Sequence, residues 1–168
     1  MMEKKKLRRI HCGPHATFYF ENFDTIWYQV HEMLFIEKGG EEQIKDELHA
    51  YNPLIPKGEE LVSTLMFEIS NPIARAKFLD GLGGIEKNTF FMINGETIKG
   101  LPETDIDRTS AEGKASSVQF LHFPFTADQI AAFKQPNIRV ALSIEHSKYA
   151  HSSILPEAIR KILAMDFE

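Results

Sequence analysis

The chain has almost no cysteine: Cys12 is the only one among 168 residues. No disulfide can form within it, and a reducing, cytoplasmic compartment is expected. Positive charge is not in excess either. The formal net charge is -5, which argues against a whole-domain nucleic-acid binder, because neutralising phosphates takes clustered lysine and arginine. The one basic run, Lys4 to Arg9, reads as a solvated tail or an edge strand. No apolar run approaches the roughly 20 residues that cross a bilayer. The segment IHCGPH interrupts the basic amino terminus before any signal-peptide core could form. Neither nucleic acid nor membrane is therefore expected as a partner. Strong catalytic motifs are missing too. There is no Walker lysine, G-x-S-x-G, H-E-x-x-H or C-x-x-C. The glycine-rich Gly81 to Gly84 follows a helical pattern instead of opening one, so it cannot cradle a phosphate at a helix amino end.

What is present is core material. Thirteen phenylalanines and a 43% apolar fraction suit one globular domain spanning residues 1–168. LRRIHC and ATFYFE flank Gly13-Pro14 as a hairpin. Asp24 is placed to cap the helix TIWYQVHEMLFIEK, whose stripe is Ile26, Val30, Met33 and Leu34 and which Gly39-Gly40 ends. A second helix, EEQIKDELHAY, stops at Asn52, because a residue before proline avoids the helical region. In LVSTLMFEI both faces are apolar enough for an inner strand covered on both sides. Asn71-Pro72 opens a further helix, and TFFMI-NG-ETIK is a type I′ hairpin. Leu101 to Ser117 is polar and aperiodic, the pattern of an exposed loop. Val118 to Phe125 is a phenylalanine-rich strand, Thr126 to Gln129 a capping box, NIRVALSIEH an alternating strand and Pro156 the start of the last helix. The order ββαα, βαββ, βαβα predicts an α+β fold: a mixed, largely antiparallel sheet with helices mainly on one face.

Some polar residues stand out against this core. His11, Cys12 and His15 straddle a tight turn, but His11 and Cys12 are neighbours on a strand and point to opposite faces, leaving at most two convergent ligands for a metal. Tyr28, Gln29 and Glu32 share the side of the first helix away from Ile26 and Val30, which reads either as a solvated face or as part of an enclosed one. Because Trp27, Phe35 and Ile36 leave that helix apolar nearly all round, burial would force each polar group to find a partner. Asp46 and His49 have the spacing of a di-iron ligand pair but lack the four long helices such a site needs. Glu68 and His122 read as a strand-end carboxylate and a hydrogen-bonded histidine. His146 and Tyr149 follow the last alternating strand in a loop at a sheet end, where functional side chains often sit.

Taken together, the GPH hairpin, YQVHEML, DELHAYNPLIP, VQFLHF and the EH…Y segment resemble a bacterial domain-of-unknown-function family over nearly the whole chain. YNPLIP is the most specific part. No established activity, cofactor or catalytic residue comes with the resemblance. It does imply a redox or peroxide-defence setting, since genes of the family often neighbour those of rubrerythrin and iron–sulfur oxidoreductases. Gln119 stands where a histidine is usual, and His122 where an arginine is. Members also carry a further helical segment ahead of the basic strand, so whatever it covers is expected to be open here. The resemblance implies a shared polar set of His15, Gln29, Glu32, His146 and Tyr149 along with the strap. Two readings of the strap stand side by side: a plain connector holding a helix to a strand, or the lip of a pocket floored by the first helix, with Tyr51 and Asn52 offering hydrogen bonds and Leu54 and Ile55 plugging the strap into the core. Two prolines lower the entropy cost of ordering such a lip.

Three functions follow as expectations. The first is a small-ligand or metal-binding protein, with His15, Glu32 and His146 as metal candidates. The second is an accessory protein docking on a rubrerythrin-like or iron–sulfur partner through an edge strand or the 101–117 loop. The third is an enzyme with Glu32 or His146 as general base. An unpaired edge strand would also allow a homodimer by sheet extension.

Overall fold

The structure is a computed structural model and describes residues 5–104 and 108–168. Lys4 of the basic run and residues 105–107 of the polar loop lie outside the described residues. Five strands form one sheet in the order β1 (Arg9–Cys12), β2 (Ala16–Glu21), β3 (Glu60–Phe67), β7 (Val118–Pro124) and β6 (Leu101–Pro102). Four form a second: β5 (Glu96–Lys99), β4 (Thr89–Ile93), β8 (Val140–His146) and β9 (Tyr149–Ile154). The helices are α1 (Phe23–Glu37), α2 (Gly40–Tyr51), α3 (Pro72–Leu79), α4 (Ala127–Lys134) and α5 (Glu157–Ala164). The fold is α+β, and every strand pair is antiparallel. The strands expected in one sheet divide between two.

The two sheets face one another across a core built largely from phenylalanine. Phe18, Phe20, Leu65 and Phe123 of the first meet Phe91, Leu142 and Ile144 of the second, all at most 1% exposed. Ring contacts tie the layers directly, Phe91 to Phe123 at 4.9 Å and Phe91 to Phe20 at 5.8 Å. Helices lie on more than one side. Leu79 of α3, Phe133 of α4 and Leu163 of α5 join this main core, whereas α1 covers the outward face of the first sheet. There Ile26 and Val30 pack with Val62 and Leu54 in a second, smaller cluster. The inner strand β3 is thus apolar on both faces because each face has its own core.

Local chemistry explains several boundaries. Asn22, not Asp24, caps α1: its side chain accepts from the Thr25 N–H at 3.0 Å, and the Thr25 hydroxyl accepts from the Asn22 N–H at 2.9 Å. This reciprocal pair satisfies two donors that a helix start leaves free. Asn52 stays helical despite the following proline, at φ -55° and ψ -38°, and opens a 3-10 turn over Asn52–Leu54. The polar loop is more fixed than its composition predicts. Leu101 and Pro102 pair with β7, Thr109 bridges Ala115, and Ala115 is buried. The segment after β8 is likewise a strand, β9, and not a loop.

Candidate functional site

The outward face of the first sheet is built from cross-strand rows. Tyr19 lies opposite Thr64, which lies opposite Phe120; one step along, Met66 lies opposite Val118. These five side chains floor a cavity of about 340 Å³. Its walls are Thr25, Ile26 and Gln29 of α1, with Tyr51 and Leu54 from the end of α2 and the following turn. Lys5, Arg8 and Glu21 complete the rim. Next to this space, Val30 and Val62 pack with Ile26 and Leu54 in the smaller core.

Glu21 is the polar centre. One carboxylate oxygen accepts from the Thr64 hydroxyl at 2.8 Å and the other from the Thr25 hydroxyl at 2.5 Å. An ionised carboxylate has about four acceptor sites, so two neutral donors leave capacity for a third partner. Arg8 does not supply it. Its guanidinium donates to the Phe20 carbonyl at 2.9 Å and the Glu21 carbonyl at 3.1 Å, and it pairs with Asp166. The ammonium of Lys5 lies 4.7 Å from the centre of the Tyr28 ring. Gln29 and Tyr51 both line the cavity, and the Tyr51 phenol is pushed above its ordinary pKa by burial, then by the charge of Glu47. Burial, followed by its hydrogen bond to Glu68, pushes Tyr19 up to about 12. Both phenols therefore stay neutral donors at physiological pH.

The structure does not gather the expected polar set into one place. Gln29 and Tyr51 meet at the cavity, and Leu54 is buried beside them. The first helix is a wall of this space and the sheet is its floor. Asn52 is exposed on the strap, and Glu32 is exposed on α1, because Trp27, Phe35 and Ile36 of that helix face solvent instead of a second layer. Tyr149 is buried elsewhere, at the start of β9 and against the β1–β2 turn. Its hydroxyl donates to the Cys12 carbonyl at 2.7 Å and accepts from the N–H groups of His15 and Ala16, each at 3.1 Å. His15 packs edge-on against Phe78 in the same turn, at 4.9 Å. His146 ends β8, with Nε2 3.3 Å from the Gly83 carbonyl and Nδ1 accepting from the Lys148 N–H at 3.2 Å. Among the described residues, no three His, Cys, Asp or Glu side chains form a group able to hold a metal, so His15, Glu32 and His146 do not converge on one.

Sequence reasoning passed over Glu21, Thr25, Thr64, Met66 and Phe120. The signal was the weakly polar outer face of β3 together with a glutamate ending β2 on its outward side. Only the strand pairing places them in adjoining rows.

Among the described residues, no helix is long and apolar enough to cross a membrane. A search of curated proteins gave no match. A crystal structure of a novel protein of unknown function from Burkholderia pseudomallei is similar, with 34% identity, a TM-score of 0.89, and coverage of 99% of this chain and 87% of that one. The model of a family of proteins of unknown function, DUF3501, matches residues 1–167. With its α+β fold and its match across almost the full length, the chain belongs to the DUF3501 family.

Proposed function

We propose that this chain is a small-ligand-binding protein whose site is the cavity between the first sheet and α1. The ligand is small and mostly apolar and carries one hydrogen-bond-donating or cationic head. The observation that carries this reading is Glu21, a half-buried carboxylate oriented by two hydroxyls at the edge of a space walled by Ile26, Leu54, Met66, Val118 and Phe120. An apolar cavity with a few convergent polar groups is the usual form of a ligand site. Removing an ammonium or N–H from water costs least where a carboxylate waits for it. A metal-binding role has no matching side-chain group among the described residues. Glu32 and His146 do not line the cavity, so neither is the polar centre of this reading. The redox or peroxide-defence setting, a nearby rubrerythrin-like or iron–sulfur protein and a cytoplasmic location carry over from the resemblance and from the lone cysteine. They direct the choice of ligands toward small amines and redox-active aromatics.

A thermal-shift screen of such molecules on the purified chain tests the reading. A ligand present at about 100 times its Kd adds about 2.7 kcal/mol of stability, a shift of several degrees. Met66→Trp, which fills the cavity from its floor, should keep its own melting transition and lose that shift. Hits that stabilise the filled variant equally, or a screen with no hits, would defeat the proposal.

A further inference from the structure

Apart from the cavity, the α1–α2 hairpin presents an apolar surface that is left uncovered among the described residues. Phe23, Trp27, His31 and Phe35 follow one another at i+4 steps and so form one ridge along α1. Phe23 is 62% exposed, Trp27 51% and Phe35 78%. Neighbouring side chains of the ridge touch: the Trp27 and His31 ring centres lie 3.9 Å apart, and His31 Nδ1 is 2.8 Å from the Trp27 carbonyl. Beside it, every residue of α2 is exposed or only half-buried, Ile44 and Leu48 included. Contiguous aromatic exposure on this scale marks an interaction site.

Charge identifies the occupant. From Phe23 to Tyr51 the chain carries seven Asp and Glu side chains but only Lys38 and Lys45, which amounts to the whole formal net charge of -5. Everything outside the hairpin is balanced. A second copy would bring two such hairpins together, and an anionic lipid surface or nucleic acid would meet the same repulsion. We infer that the aromatic ridge of α1 docks on a partner protein whose apolar sockets are rimmed by lysine and arginine.

Trp27 is the only tryptophan, so its emission reports on the ridge directly. The probe is a synthetic amphipathic helix of leucine and lysine, with the same peptide carrying glutamate for lysine as control. The cationic peptide should shift Trp27 emission to the blue and saturate. Its affinity should fall about ten-fold between roughly 50 mM and roughly 300 mM salt. The glutamate peptide should bind at least about ten-fold more weakly. Phe35→Ser, at a side chain that supports no core, should weaken the cationic peptide about ten-fold. No response to either peptide, or equal binding of both, would overturn the inference. Unchanged binding by Phe35→Ser would show attraction by charge alone and also refute it. Self-association at micromolar concentration that Phe35→Ser abolishes would assign the ridge to a second copy and refute it as well.

Discussion

His122 stands between two carboxylates, Nδ1 at 2.9 Å from Glu60 and Nε2 at 2.5 Å from Glu103. The hydrogen bond to Glu60 is the main cause that raises its pKa; burial opposes it, and Glu103 adds to it. A histidine whose folded pKa lies above its ordinary value of 6.5 contributes stability that is complete below that pH and is lost as pH climbs through the raised value. Wild type should therefore exceed His122→Gln by about 2 kcal/mol near pH 6, from hydrogen bonds to charged partners, and the gap should close on the alkaline side. Urea unfolding of both proteins at several pH values reads this, and a gap independent of pH would contradict it. Cys12 is the opposite kind of residue. Burial pushes its thiol up to about 11, and its Sγ lies 3.3 Å from the His151 carbonyl. Thiolate is the reactive form. A disulfide reagent at neutral pH should leave the folded protein unlabelled and react fully in denaturant. Rapid labelling of the folded protein would instead allow Cys12 a redox role of its own.

At the scale of elements, turn and cap chemistry was the most legible part of the sequence. The Asn94-Gly95 hairpin, the Asn71 cap before Pro72 and the Thr126–Gln129 box all appear as their residue types require. The β1–β2 turn was legible as a turn, but not the way it is locked. Gly13 takes φ +76°, and a Cβ there would lie 2.5 Å from the His151 ring and the Tyr149 hydroxyl. Strand β9 supplies both of those side chains. It escaped notice because YAHSSI is polar and short on alternation, as an exposed edge strand tends to be. Tyr149→Phe keeps the packing and strips partners from two backbone N–H groups and one carbonyl. A loss of about 2–4 kcal/mol is expected in the urea midpoint, and a loss below about 0.5 kcal/mol would show that the turn holds without the hydroxyl.

For the molecule as a whole, side-chain alternation tells which residues share a face but not which strands are partners. That is why the α+β class was readable from the order of elements, whereas the division into two sheets was not. The cavity shows the same limit. Gln29, on the first helix, and Tyr51, on the strap, were each legible as pocket candidates, because a helix face and its proline-braced exit are local features. The floor of Tyr19, Thr64, Met66, Val118 and Phe120 joins strands up to about a hundred residues apart and exists only through their register. His15, His146 and Tyr149 were polar residues near chain turns; the His146 ring and the Tyr149 hydroxyl spend their hydrogen bonds on backbone groups there, and the His15 ring packs on Phe78. The most direct test of the ligand-binding account is methyl chemical-shift mapping by NMR with the tightest hit from the screen. The account predicts that the methyls of Ile26, Leu54, Met66 and Val118 shift together and saturate at one affinity while Leu163 stays still. Shifts centred away from these four, or none among them at saturation, would contradict it.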